Sequence, residues 1–114
     1  MHELSIAMNL IEVACEEAER RDVRIVALHV TIGPLSGVVR DALISAFEIA
    51  CESSPLGDIR FEIVETQVTM QCSVCEAETL VVSLQELRCR QCGEPARQIT
   101  GGRELELTAL EIEA

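Results

Sequence analysis

The chain has 114 residues, 48% of them hydrophobic, which suffices for one ordinary domain plus a small module and excludes a disordered protein. Its formal net charge is -11 and its 9 basic residues are all arginines, so the electrostatic footprint of a nucleic-acid-binding protein is missing. No stretch approaches the roughly 18 consecutive apolar residues of a membrane-spanning helix, and the first residues are acidic where a targeting peptide would be basic, so we expect a cytoplasmic protein with no membrane contact.

The first predicted elements are a helix and a strand. From Leu4 to about Arg21, apolar residues recur at the spacing of one helix face, which predicts an amphipathic helix. From Val23 to Ile32, apolar and polar residues alternate, and the run ends at Gly33-Pro34. This pattern is typical of a half-buried strand that stops at a turn.

A second helix and a second strand are expected to follow. The helix should run from Val38 to Cys51, with Ser36 as its N-terminal cap. The strand places Ile59, Phe61 and Ile63 on one face. Its alternation then loses phase at Val64-Glu65, which predicts a β-bulge before the chain reaches Cys72.

The next segment carries two close pairs of cysteines. They are Cys72 with Cys75, and Cys89 with Cys92. In each Cys-x-x-Cys pair the chain can turn back so that both sulfurs reach a common centre about 2.3 Å away, and the stretch between the pairs suffices for a short hairpin. Residues 79–82 are expected to form one arm of that hairpin, and Gly93 suits a tight turn with a positive backbone dihedral. The spacing predicts a zinc ribbon with one tetrahedral thiolate site.

Four thiolates complete the coordination of zinc and leave no open position for an activated water, so the predicted zinc is structural rather than hydrolytic. Two disulfides are the alternative, and the absence of a secretory signal disfavours them. Iron in a rubredoxin-like arrangement also stays open, because thiolate spacing separates zinc from iron poorly.

Alternation returns from Arg103 to Glu113, with a slip at Thr108-Ala109 that predicts a second β-bulge. This last strand should join the first domain, because a ribbon of some 25 residues has too little core to cover it. The expected fold is α+β: two helices on a three-stranded sheet with an inserted zinc-ribbon module. The expected domains are residues 1–69 plus 97–114, which form the discontinuous α+β domain, and residues 70–96, which form the ribbon.

The amino terminus offers a second candidate metal site. The terminal amine of Met1, the backbone nitrogen of His2 and the His2 imidazole can all reach one ion and chelate it in fused rings. Nitrogen donors held in a plane favour nickel(II) or copper(II) over zinc, and the Glu3 amide or carboxylate could complete a square. A histidine at position two of a chain is most often a solvated terminal side chain, so the residues alone make this only a candidate.

Several segments together resemble the HypA/HybF family. They are the Met-His-Glu-Leu-Ser opening, Ile32-Gly33 with Ser36, Ser45-Ala46-Phe47-Glu48, the two Cys-x-x-Cys pairs and the closing Glu104-Leu105-Glu106-Leu107. The match runs nearly from end to end. Family members are nickel metallochaperones of [NiFe]-hydrogenase maturation. The resemblance therefore implies a protein that is not an enzyme, that binds Ni(II) at its amino terminus, and that delivers it to the hydrogenase large subunit.

The resemblance also implies ligands and partners. His2 binds nickel, with Glu3 and the terminal nitrogens of Met1 beside it, while the four cysteines hold zinc. The GTPase HypB is the implied partner for nickel exchange, and a monomer or weak homodimer is expected. One position departs from the family, since some members bring an aspartate near the nickel from the start of the second helix, where this chain has Val39. Asp41 lies two residues further on.

Two other classes of protein compete with a nickel carrier. One is a zinc-ribbon interaction adaptor with an inert amino terminus, and the other is a rubredoxin-like electron-transfer protein. An enzyme is not expected, because the sequence shows no nucleophile with its base, no phosphate loop and no open metal site. His29 is expected to be a hydrogen-bonded or partly exposed strand residue, and Cys15 and Cys51 are expected to be free thiols on the two helices.

Overall fold

The computed structural model describes residues 3–113. Its elements in chain order are α1 (Glu3–Arg21), β1 (Ile25–Ile32), α2 (Arg40–Glu52), β2 (Arg60–Glu65), β3 (Thr69–Cys72), β4 (Ala77–Leu80), β5 (Gln98–Gly101) and β6 (Leu105–Ile112). Both helices pack against a first sheet, whose strand order is β2, β1, β6. The chain between β2 and β6 forms a second sheet, whose strand order is β4, β3, β5. This is the predicted α+β architecture. Neither helix within residues 3–113 has the length and apolarity that crossing a bilayer requires.

The first sheet is built around β1, which lies between β2 and β6. It pairs with β2 in parallel, from Ala27 opposite Arg60 to Ile32 opposite Glu65, and with β6 in antiparallel. Two neighbouring parallel strands need a long crossover connection, and the segment that contains α2 supplies it. The closing strand thus joins the first sheet, as the sequence predicted.

One of the two predicted bulges is confirmed and the other is wrong. In β6 the register shifts so that Ala109 faces His29 and Leu107 faces Val30, which leaves Thr108 as the extra residue of a bulge. The Thr108 hydroxyl donates to the backbone oxygen of His29 at 3.1 Å. β2 has no bulge, because its pairing with β1 runs unbroken through Glu65. The alternation fails there because Val64 is an apolar side chain that is 55% exposed, not because the strand gains a residue.

The main hydrophobic core lies between the helices and the first sheet. Each helix buries residues three or four positions apart, as the helical period predicts. The buried residues are Ala7, Ile11 and Ala14 in α1, Leu43, Ala46, Phe47 and Ala50 in α2, and Ile25, Leu28, Val30 and Ile32 in β1. The rings of Phe47 and Phe61 stack with their centroids 4.0 Å apart, and this contact holds α2 over β2.

The prediction of Ser36 as the cap of α2 is wrong. The helix begins later, with Val39 as its N-cap residue, and no side chain of its own accepts a cap hydrogen bond there. The Ser36 hydroxyl instead accepts from the backbone N–H of Val38 at 3.2 Å, inside the preceding turn. The backbone N–H of Val39 donates to the Glu3 carboxylate at 3.3 Å. The acceptor at the start of α2 therefore comes from α1, which no local sequence pattern could reveal.

Truncation of a buried leucine in α2 tests the placement of this core. Leu43 is 0% exposed, so Leu43→Ala is expected to lower the free energy of unfolding by about 2–5 kcal/mol, through lost burial and the cavity left behind. Ile49 lies on the same helix and is 60% exposed, so Ile49→Ala should change the free energy of unfolding by less than about 0.5 kcal/mol. Urea denaturation of both variants checks the difference, and equal losses would contradict the placement of α2.

Candidate metal centres

The second sheet brings the four cysteines of the two Cys-x-x-Cys pairs together. β3 is its central strand and pairs in antiparallel with β4 and β5. Cys72 ends β3, and the following turn carries Cys75 back toward it. Beyond β4, an isolated bridge joins Val81 to Cys89 and so returns the second pair to the first. The predicted hairpin arm at residues 79–82 thus corresponds to the end of β4 and this bridge.

The sulfur positions suit a tetrahedral metal ion. All four Sγ atoms lie within 4.8 Å of one another. The Sγ atoms of Cys72 and Cys92 are 3.5 Å apart, and those of Cys75 and Cys89 are 3.8 Å apart. Four sulfurs each about 2.3 Å from one zinc ion stand about 3.8 Å from one another, so the cluster has the dimensions of a structural zinc site. Among residues 3–113 it is the only such group of metal-binding side chains.

The backbone of each turn supports this cluster. The backbone N–H of Cys75 donates to the Cys72 sulfur at 3.4 Å, which closes the first turn. In the second turn the Gly93 N–H donates to the Cys89 oxygen at 2.9 Å, and Gly93 has a φ of 79°. The predicted positive dihedral is therefore confirmed. Glu76, which directly follows the first pair as Gly93 follows the second, has a φ of 52°. A glutamate rarely adopts a positive φ, so the sequence did not predict this conformation.

The cysteines of the cluster differ in their pKa values. Hydrogen bonding with the sulfurs of Cys92, Cys72 and Cys89 raises the pKa of Cys75 to about 12. Hydrogen bonds from the backbone N–H groups of Cys92 and Gln91 lower the pKa of Cys89 to about 6. A divalent cation displaces the protons of the thiols that coordinate it, so zinc uptake by this cluster is expected to release protons.

Most of the candidate nickel site lies outside the described residues. Met1 and His2 are not among the described residues, and Glu3 is the first residue that is. Glu3 opens α1, and its carboxylate accepts from the Val39 N–H as stated above. The Asp41 carboxylate, two residues after Val39, points elsewhere: it is 91% exposed and lies 3.5 Å from the Arg40 guanidinium. The helix-capping role of Glu3 was missed, since it joins residues far apart in sequence.

The remaining histidine and cysteines take the ordinary roles expected of them. His29 Nε2 lies 3.0 Å from a Glu111 carboxylate oxygen, which also pairs with Arg60. Hydrogen bonding with His29 and then with Arg60 lowers the pKa of Glu111. Cys15 and Cys51 are free and half-buried thiols, and burial raises the pKa of Cys51.

The fold and the cluster define the class as an α+β protein that carries an inserted thiolate metal module. The sequence model of one protein family, described as "Hydrogenase/urease nickel incorporation, metallochaperone, hypA", matches residues 1–112. The chain belongs to this HypA family. It is thus a metallochaperone of nickel incorporation in hydrogenase maturation, and its four-cysteine cluster fits the zinc site predicted from the sequence.

Relatives and solved structures agree along the whole chain. The chain is 43% identical to a hydrogenase maturation factor HypA of Roseiflexus sp. over 99% of its own length and 93% of the relative. It is 46% identical to a HypA of Chloroflexus aurantiacus, with 97% and 98% covered. A solution structure of the Ni metallochaperone HypA from Helicobacter pylori matches with a TM-score of 0.67 and 30% identity, covering 100% of this chain and 99% of that one. A second HypA solution structure gives 0.74 at 30% identity, with 99% and 97% covered.

Proposed function

We propose that this chain binds Ni(II) through its amino terminus and delivers it to the large subunit of a [NiFe]-hydrogenase. The observation that carries the proposal is the family match over residues 1–112, which includes the Met-His-Glu opening. The proposed nickel ligands are the Met1 amine, the backbone and imidazole nitrogens of His2, and Glu3. The four cysteines of the cluster hold zinc, which stabilises the second sheet.

The chemistry of a terminal site supports a carrier. Nickel that is to be handed on must leave its site quickly, and a chain terminus with few protein ligands allows this better than a buried cage. The full thiolate cluster has the opposite character, because it offers zinc four ligands and two of them, Cys72 and Cys89, are fully buried. The two centres are therefore suited to different tasks, exchange at the terminus and stability in the module.

The proposed cellular setting follows from the same function. We propose that the chain works in the cytoplasm as a monomer or weak homodimer and exchanges nickel with the GTPase HypB. The division into a nickel domain, residues 1–69 plus 97–114, and a ribbon, residues 70–96, is part of this proposal. In the structure the second sheet also includes Thr69 and β5, so the strands of the ribbon continue slightly beyond those bounds.

An amino-terminal extension tests delivery in cells. In a strain that lacks its own protein of this family, the untagged chain should restore the nickel content and activity of the hydrogenase. A chain extended by several residues before Met1 should restore neither, because the amine is displaced from His2. The same extension at the carboxyl end is the control and should leave maturation intact.

An adaptor without nickel transfer is the second candidate. It is favoured by apolar side chains that the zinc module exposes, among them Val74 at 61% and Val82 at 52%, since exposed apolar groups suit a protein contact. An adaptor tolerates the amino-terminal extension. Full maturation by the extended chain would therefore reject the carrier and favour the adaptor.

A further inference from the structure

We propose that Glu104 is a positioning residue for the nickel site. Its carboxylate fixes the connection that returns from the zinc module to the first sheet. That connection fixes residues 33–39, and these residues present a backbone N–H to Glu3. This inference rests on the proposed function, because it concerns the affinity and geometry of the terminal nickel site. Glu104 itself does not belong to that site.

One carboxylate oxygen of Glu104 joins the two connections between the sheets. Glu104 Oε1 accepts from the Thr66 hydroxyl at 2.8 Å and from the Gly102 backbone N–H at 2.8 Å. Thr66 lies in the connection that leaves the first sheet, and Gly102 lies in the connection that returns to it. Hydrogen bonds from its own backbone, Thr66 and Gly102 lower the pKa of Glu104, so the charged form holds both connections at neutral pH.

The returning connection is in turn locked to the segment that follows β1. The Gly33 N–H donates to the Glu104 backbone oxygen at 2.8 Å, and the Leu35 N–H donates to the Gly102 oxygen at 2.7 Å. The approach is so close that a Cβ atom on Gly33 would lie 2.1 Å from the Gly102 oxygen. Gly33 and Gly102 are both buried, so these backbone groups have little room to shift independently.

The far end of the same segment reaches the amino-terminal helix. Within it, the Ser36 N–H donates to the Gly33 oxygen at 3.0 Å, and the Val38 N–H donates to the Ser36 hydroxyl at 3.2 Å. The Val39 N–H then donates to Glu3 Oε2 at 3.3 Å. Residues 33–39 are therefore held at both ends and in between. A shift of Gly102 moves Leu35, and with it the N–H group that orients the Glu3 carboxylate beside the proposed nickel ligands.

Glu104→Ala in the untagged chain tests this role, with Glu106→Ala as the matched control. Glu106 is an exposed glutamate two residues further on, near the start of β6. Nickel affinity by isothermal titration calorimetry should fall by about fivefold or more in Glu104→Ala, the low end of typical coupling between sites, and stay within twofold in Glu106→Ala. The visible absorption of bound Ni(II) should also change in Glu104→Ala alone. Glu104→Gln keeps an acceptor oxygen and should recover most of the affinity.

Three outcomes separate this inference from the proposed function. If the wild type binds nickel and Glu104→Ala binds it with the same affinity and spectrum, the positioning role is overturned and the carrier stands. If the wild type binds no nickel, the carrier is overturned and the role of Glu104 with it. If Glu104→Ala loses zinc or unfolds, the test is made with Thr66→Val, which removes one hydrogen-bond donor to the Glu104 carboxylate. Unchanged nickel affinity in Thr66→Val would then overturn the positioning role.

Discussion

Replacing Cys89 by serine is expected to reduce the zinc content of the purified chain from one ion per molecule to almost none. The Cys89 sulfur is fully buried, and a serine hydroxyl is a far weaker zinc ligand than a thiolate. The second sheet should lose its fixed structure as well, because its buried core consists of only Met70 and two of the metal-binding cysteines. Elemental analysis and backbone NMR spectra measure the two effects.

The same substitution outside the cluster is the control. Cys15→Ser changes a half-buried free thiol of α1 and should leave one zinc ion per chain. If Cys89→Ser retains a full zinc ion, the cluster is not the zinc site. If the wild type carries no metal and its β3–β5 sheet persists only without reductant, the disulfide alternative is correct.

His2→Ala is expected to weaken Ni(II) binding by about a hundredfold or more. The variant loses the imidazole, and with it the fused ring that joins the side chain to the terminal nitrogens, while the Met1 amine alone offers a weak site. Titration calorimetry on the untagged protein measures the affinity. The zinc content should not change, because the four cysteines form a separate cluster.

His29→Ala is the matched control, since it removes the other histidine of the chain. His29 lies in β1 and pairs with Glu111, so its loss should leave the nickel affinity within about twofold of the wild type. If His29→Ala loses nickel and His2→Ala retains it, the nickel site lies on the first sheet and the proposed ligands are wrong.

The sequence predicted most of the fold because helical periodicity and strand alternation are both local patterns. Helical and alternating periodicities indicated the two helices and the strands of the first sheet. The placement of β6 came from a different argument, that a small ribbon lacks the core to cover an apolar strand, and Leu105, Leu107 and Leu110 indeed pack against the main core. The bulge at Thr108 was predictable because an extra residue shifts every later side chain to the other face.

The errors arose where an interaction joins distant parts of the chain. Ser36 has the chemistry of a helix cap, yet the Glu3 carboxylate takes that place across 36 positions of sequence. The role of Glu104 at the junction of the two sheets was invisible for the same reason, since neither Thr66 nor Gly102 marks it by a local pattern. Periodicity also cannot distinguish a bulge from an exposed apolar residue, which is why Val64 misled the interpretation of β2.

The two metal centres were predictable to different degrees. The four cysteines have a spacing that permits few structures, and the sulfurs lie as a tetrahedral zinc site requires. The assignment of Met1 and His2 as nickel ligands rests on the chemistry of a free terminus and on the family resemblance, and both residues lie outside the described part of the chain. They remain a prediction.

Native mass spectrometry of the untagged protein in the presence of Ni(II) tests the central claim most directly, because it counts both metals on each molecule. The matched sample is the same chain with two residues added before Met1. We predict one zinc and one nickel ion on the untagged chain, and one zinc ion without nickel on the extended chain. Equal nickel loading of both chains would contradict binding at the amino terminus.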